Sequence, residues 1–438
     1  MTLTTPITVV RGRFLDIQKT VSQAQDIIDQ VRYIEDGVLI AKQGQIRWFG
    51  SWDDAQAHLP ANVEIQHYPE QLIIPGMIDT HIHFPQTEMV GAYGEQLLSW
   101  LNTYTFPTEI QFQDPSYAQK IAEFFIQELL KNGTTTALVF CTVHPESVDA
   151  LFEAAAQQQM RLIAGKVMMD RHAPEALCDT AESAYEDSKA LIGKWHGQGR
   201  ALYAITPRFA PTSTPEQLER AGQLKAEFPD VYVHTHLSEN KDEIAWVKDL
   251  FPEQKGYLDV YHHYGLTGNR SVFAHCVHLE DAEWQCMHET DSAIAFCPTS
   301  NLFLGSGLFP LKKTWQQQVK VGLGTDIGAG TSFSLLQTVN EAYKVQQLQG
   351  DKLSAFESLY HATLGGAKAL DLDDKLGNFN VGKEADFVVL NLKPTALQQL
   401  RQSRSKSIED SLFALFTMGD DRNIEATYIY GQKAYNQS

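Results

Sequence analysis

Two histidines one residue apart, His81 and His83 in the run MIDTHIHF, are the first residues whose spacing suggests chemistry. Side chains alternate along a β-strand, so both project from one face and two imidazoles can meet a single metal ion. His236 closes the run VYVHTHLS, His275 closes SVFAHCVHL and Asp326 closes VKVGLGTD. Imidazoles with a carboxylate form a donor set suited to Zn²⁺, with Fe²⁺ or Mn²⁺ as alternatives. Glu239 follows His236 by three residues, where a carboxylate can reach a water held by the metal without being a ligand, as a proton shuttle must. Arg208, in TPRFAP, ends another run, and an arginine pointing into a small cleft is costly unless it binds something. Phe209 and Trp100 read equally well as core or as a platform for a ligand. His234 shares a strand face with His236 and is assigned to an inner layer. His58, His67, His144, His172, His196, His262, His263, His278, His288 and His361 are read as ordinary polar residues.

The elements that must carry these residues are legible as apolar runs. Eight of them, MIDTHIHF, TTALVFCT, LIAGKVMMD, ALYAITPRF, VYVHTHLS, SVFAHCVHL, AIAFCPTS and VKVGLGTD, alternate with longer helical segments. One such segment is SYAQKIAEFFIQELLKNG, whose apolar residues recur at three and four before Gly133 stops the helix. Eight β-then-α units predict an α/β chain folded as a (β/α)8 TIM-type barrel, in which functional groups gather at the C-terminal ends of the strands. The five ligand-type residues would then converge on one rim. The first ~70 residues instead alternate apolar and polar positions, as in GVLIAKQGQIRWFG, and that texture returns after Gly377. The expectation is a small β-sandwich domain built from residues 1–73 plus 378–438, flanking a catalytic barrel at 74–377.

Lys+Arg 35 against Asp+Glu 54 gives a net charge of −19, which disfavours nucleic acid and anionic membrane surfaces as partners. A small neutral substrate fits that field better. The start, MTLTTPITVVRGRFLDI, lacks a basic region followed by a long apolar core, and a cytoplasmic protein is expected. Five scattered cysteines, none in a CxxC pair, suggest buried apolar side chains and no disulfide framework.

Taken together, PGMIDTHIHFPQ, HTHLSEN, FAHCVHL, FCPTSN and GLGTD resemble the amidohydrolase superfamily. HFPQ, LLSWLNTYTFPTE, GKVMMDR, TPRFAP and GLGTDIGAG resemble its guanine-deaminating branch, over roughly residues 70 to 340. The resemblance implies that His81, His83, His236 and Asp326 bind one zinc ion and that Glu239, His275 and Asp326 carry the catalysis. Glu239 would move protons, and His275 would assist the attacking water. The substrate would lie against His83, Gln86, Arg208, Phe209, His236, Glu239 and Asp326, with Gln86 and Arg208 recognising a purine. The implied reaction is hydrolysis of guanine to xanthine and ammonia, in purine catabolism or salvage. Binuclear members bridge two metals with a carboxylated strand lysine. Lys166, the only lysine in an early barrel run, sits in mid-strand, which favours one metal. A pyrimidine, triazine or adenosyl-compound deaminase, a cyclic amidohydrolase, and a non-catalytic scaffold are the competing readings. A homodimer is the default assembly.

Overall fold

The computed structural model describes residues 7–93 and 97–437; the first six residues of the segment expected to begin the small β domain lie outside the described residues. Both chain ends enter one seven-stranded sheet. From the N-terminal side come β1 (Ile7–Ile17), β2 (Val31–Lys42), β3 (Gln45–Ser51) and β4 (Ile65–Pro75). From the C-terminal side come β14 (Phe387–Leu390), β15 (Ile424–Ile429) and β16 (Gln432–Asn436), in the order β16-β15-β14-β4-β1-β2-β3. All pairs are antiparallel except β1 with β4. Residues from opposite ends of this path, Leu39 and Ile46 on one side and Phe387 and Tyr428 on the other, share one apolar cluster, so the sheet closes over its own core. Its two tight hairpins use the same chemistry. Gln43 and Gly44 (φ 55° and 75°) and Tyr430 and Gly431 (φ 51° and 75°) have the paired positive φ of a two-residue turn matched to strand twist. The turns also meet, since a Cβ on Gly44 would collide with the Tyr430 ring.

The eight apolar runs become eight parallel barrel strands: β5 (Met77–His83), β6 (Thr134–Phe140), β7 (Arg161–Gly165), β9 (Ala201–Pro207), β10 (Tyr232–Leu237), β11 (Ser271–His275), β12 (Ala293–Phe296) and β13 (Lys320–Leu323). The third run is broken at Lys166, beyond which Val167–Met168 (β8) pairs with β9. Two features break it. A Cβ at Gly165 would strike the Ala204 carbonyl, and the Lys166 amide bonds to the Tyr203 hydroxyl at 3.2 Å. Alternate residues, among them Ile78, Leu138, Ile163, Tyr232 and Val272, fill the barrel interior together with Leu370 and Leu372 from the C-terminal helical segment. The predicted helix after the first strand spans Pro115–Lys131, capped by Asp114 accepting from the Ser116 amide.

Closure of the barrel matters for the site. Between the first and last strands the seam is held by the Asp326 amide donating to the His81 carbonyl (2.9 Å) and the His83 amide donating to the Ile327 carbonyl (3.0 Å). Lower down, the Thr80 hydroxyl donates to the Leu323 carbonyl at 3.0 Å. The rung that shuts the barrel is the one that brings Asp326 beside the two histidines. Among the described residues, no helix is long and apolar enough to cross a membrane. The five cysteines are free; Cys141, Cys276 and Cys297 are buried, and Cys178 and Cys286 are half-buried.

Candidate active site

Strand alternation sets His81 and His83 on one face at the end of β5, and the facing strands supply the rest. His81 Nε2 lies 3.2 Å from His83 Nε2, and His83 Nε2 lies 3.2 Å from His236 Nε2. Asp326 Oδ1 is 3.2 Å from His81 Nε2 and 3.4 Å from His83 Nε2. Zinc bonds of ~2.0–2.1 Å in tetrahedral geometry place ligand atoms about 3.3 Å apart, so these four atoms fit the edges of such a coordination shell. Their protonation fits as well. Burial first, and neighbouring imidazoles second, hold His236 and His234 well below the usual imidazole range, and burial brings His83 down to about 3. Neutral imidazoles are the form a metal requires. Burial alone would raise Asp326, but its interactions with His81, with hydrogen bonds to His81 and His83, outweigh that and hold this carboxyl well below the usual carboxylate range.

Two of the three ligand-type rings, His81 and His236, are aimed by a hydrogen bond from behind, whereas His83 Nδ1 has no partner among the described residues. His236 Nδ1 donates to the Arg208 carbonyl at 2.7 Å, which leaves Nε2 bare. His81 Nδ1 meets His234 Nε2 at 2.7 Å; the inner-layer histidine therefore orients a rim histidine. Phe140, at the end of β6, packs its ring against His81, His83, His234 and His236, with centroids 4.4–5.3 Å apart, and keeps that side dry. Asp326 (φ 53°) and His275 (φ 70°) occupy the left-handed region, which costs an L side chain of order 1–3 kcal/mol and is found mainly where a site demands it.

Glu239 is fully buried, and His275 Nε2 stands between two carboxylates, 3.5 Å from Glu239 Oε2 and 3.8 Å from Asp326 Oδ2. Burial and then the charge of Asp326 push Glu239 up to about 8, against the Ser306 hydroxyl, which donates to Oε1 at 2.9 Å. His275 Nδ1 bonds Asn301 Oδ1 at 2.9 Å. Glu243, one helical turn on, accepts from the amides of Glu239 (3.0 Å) and Asn240 (3.1 Å) and so fixes the backbone from which Glu239 projects.

The opposite wall holds Gln86, Trp100, Arg208 and Phe209, which line one cavity with His83, His236, Glu239, His275 and Asp326. Arg208 does not wait unpartnered for a ligand. Its Nη1 donates to both oxygens of Glu109, at 3.0 and 2.7 Å, and Gln86 Nε2 donates to Glu109 Oε1 at 3.1 Å. Gln86 Oε1 in turn accepts from the Gly328 amide at 3.2 Å, so this side chain keeps only one N–H and one lone pair for anything else. Glu109 was not singled out from the sequence, although it ends the segment LLSWLNTYTFPTE. The signal was the buried arginine itself, which needs a counter-charge. Lys166 lies elsewhere, fully buried, its Nζ 2.6 Å from Asp179 Oδ2.

A strand-end cluster of this kind on a (β/α)8 barrel defines a metal-dependent hydrolase, and comparison agrees. The amidohydrolase family profile matches residues 72–434, and the chain belongs to that family, whose members depend on a metal that the His/Asp cluster is suited to hold. Within it, the guanine deaminase of Escherichia coli (strain K12) is 62% identical over 429 residues, covering 98% of each chain. A solved structure of E. coli guanine deaminase matches with a TM-score of 0.96 at 60% identity, over 99% of this chain and 100% of that one. The guanine deaminase from C. acetobutylicum, solved with guanine bound in the active site, matches with a TM-score of 0.88 at 31% identity, over 98% and 100%.

Proposed function

We infer that this chain hydrolyses guanine to xanthine and ammonia. The observation that carries this reading is the 62% identity to the E. coli guanine deaminase over 98% of each chain, with the expected site residues other than His81 lining one cavity. When bound, one zinc ion held by His81, His83, His236 and Asp326 would supply the Lewis acidity that makes water a nucleophile at neutral pH. The remaining work falls to the side chains. Asp326, through Oδ2, takes the proton of the attacking water. Glu239, protonated at neutral pH by virtue of its burial, gives a proton to the ring nitrogen beside guanine C2 as that carbon is attacked. His275, aimed by Asn301, hydrogen-bonds the oxygen as it adds to C2. Glu239 takes the proton of the hydroxyl now on C2 and passes it to the departing amine, so that ammonia leaves as the C2 carbonyl forms, and the proton held by Asp326 then returns Glu239 to its starting state. Arg208 donates to O6, where adenine would present an amino group, and Gln86 reads a neighbouring ring position.

The engagement of Lys166 with Asp179 supports one metal per chain. A cytosolic homodimer, with residues 1–73 plus 378–438 as its smaller domain, belongs to the same reading. Ammonia and xanthine release by metal-quantified protein, from a panel of guanine, adenine, cytosine and an aminotriazine, tests it. Guanine should be preferred over adenine by about 10²-fold or more, the size expected when a buried donor faces a donor. A preference for cytosine or the triazine contradicts the reading.

A further inference from the structure

Among the polar atoms of the described residues lining the cavity, two are buried without a partner, His83 Nδ1 on the side of the histidine cluster and Trp100 Nε1 on the apolar side. Trp100 lines the cavity alongside Gln86, Arg208 and Glu239, and its side chain is only 2% exposed. Its single polar atom, Nε1, has no hydrogen-bond partner among the described residues. An indole N–H can only donate, and native proteins rarely leave such a donor buried and unmatched unless a ligand or water completes it. The rest of the Trp100 neighbourhood is apolar, with Leu97, Leu101, Phe209, Leu304 and Ala329 on the same cavity wall. The indole is thus a rigid donor set in a greasy surround. That combination fixes the orientation of a flat heterocycle.

The geometry points to Trp100 as a specificity-determining residue whose Nε1–H donates to the bare nitrogen of the five-membered ring, N7 of guanine. This rests on guanine being the substrate. Guanine offers three acceptors: O6 and N7 on one edge and N3 beside C2. N3 faces Glu239 in the proposed reaction. O6 falls to Arg208, whose Nη1 is already committed to Glu109. N7 remains, and the buried Trp100 N–H, which has no partner among the described residues, is the donor assigned to it.

The test compares guanine with 7-deazaguanine, in which N7 is a C–H, in wild type and in Trp100→Phe. Phenylalanine keeps the apolar face and deletes the N–H. 7-Deazaguanine is followed as a substrate or, where turnover is too slow, by its inhibition constant. The proposal expects wild type to favour guanine over 7-deazaguanine by about tenfold, and Trp100→Phe to lose most of that preference by weakening guanine alone. The preference is a ratio within one preparation, so a partly unfolded variant still gives an answer. An unchanged preference in Trp100→Phe, or an equal loss on both compounds, overturns the role assigned to Trp100. Failure of wild type to deaminate guanine at all would instead refute the underlying reading.

Discussion

The two walls of the cavity are built in opposite ways. The wall of His81, His83, His236, His275 and Asp326 stands on strand ends and on the turn that closes the barrel, with the rings of His81, His236 and His275 each fixed by a partner behind it. The facing wall is anchored by residues 97–113, a set of short helical turns inserted after the first strand, which carry Trp100 and Glu109. The first wall converges lone pairs and a negative charge on a point. The second carries N–H donors, on Arg208, Gln86 and Trp100, among apolar side chains. One wall is suited to hold a cation and move protons, the other to select what lies between them, and substitutions should separate the two.

The largest effect belongs to the first wall. Replacing His81 or His83 by alanine removes one of four converging donors, so metal content should fall from about one ion per chain towards zero and guanine turnover should vanish with it. Elemental analysis beside an activity assay checks both at once. A variant that keeps its metal and its rate would put the site elsewhere. Next in size is Glu239→Gln, which retains shape but not the exchangeable proton. The metal should stay while kcat falls by about 10²–10⁴. Because Glu239 acts while protonated and burial holds it up to about 8, the wild-type rate should fall as pH rises through that value. A bound cation's field shifts this limb lower. Turnover within threefold of wild type would relieve Glu239 of the role. The smallest effect is expected of Ser306→Ala. The lost hydroxyl stabilised the ionised form of Glu239, so the alkaline limb should move to higher pH, with only a few-fold change in the maximal rate. A limb shifted to lower pH would contradict this.

The same contrast explains what the sequence made legible. Period-two spacing at His81 and His83, and polar residues closing apolar runs at His236, His275 and Asp326, follow from strand geometry. They are local signals that survive without coordinates. Arg208 was visible for the same reason, being one residue past the end of β9. Glu109 and the unmatched N–H of Trp100 were not. Each lies in short helical turns, and its meaning comes from a partner about a hundred residues away or from having none. Gln86 is expected from the resemblance to help recognise a purine. The amide is instead largely spent on Glu109 and Gly328, a contact that depends on barrel closure and that no local pattern encodes.

That the walls are separable is tested most directly through Glu109, which touches only the selecting side. Glu109→Gln removes the counter-charge that holds Arg208 and Gln86, and is measured by metal content together with kcat/KM on guanine and on adenine. The account predicts about one metal ion per chain, a fall of about 10²-fold on guanine, and a narrowed gap between the two purines. Loss of the metal along with the activity, or a guanine-to-adenine ratio left at its wild-type value, would contradict it.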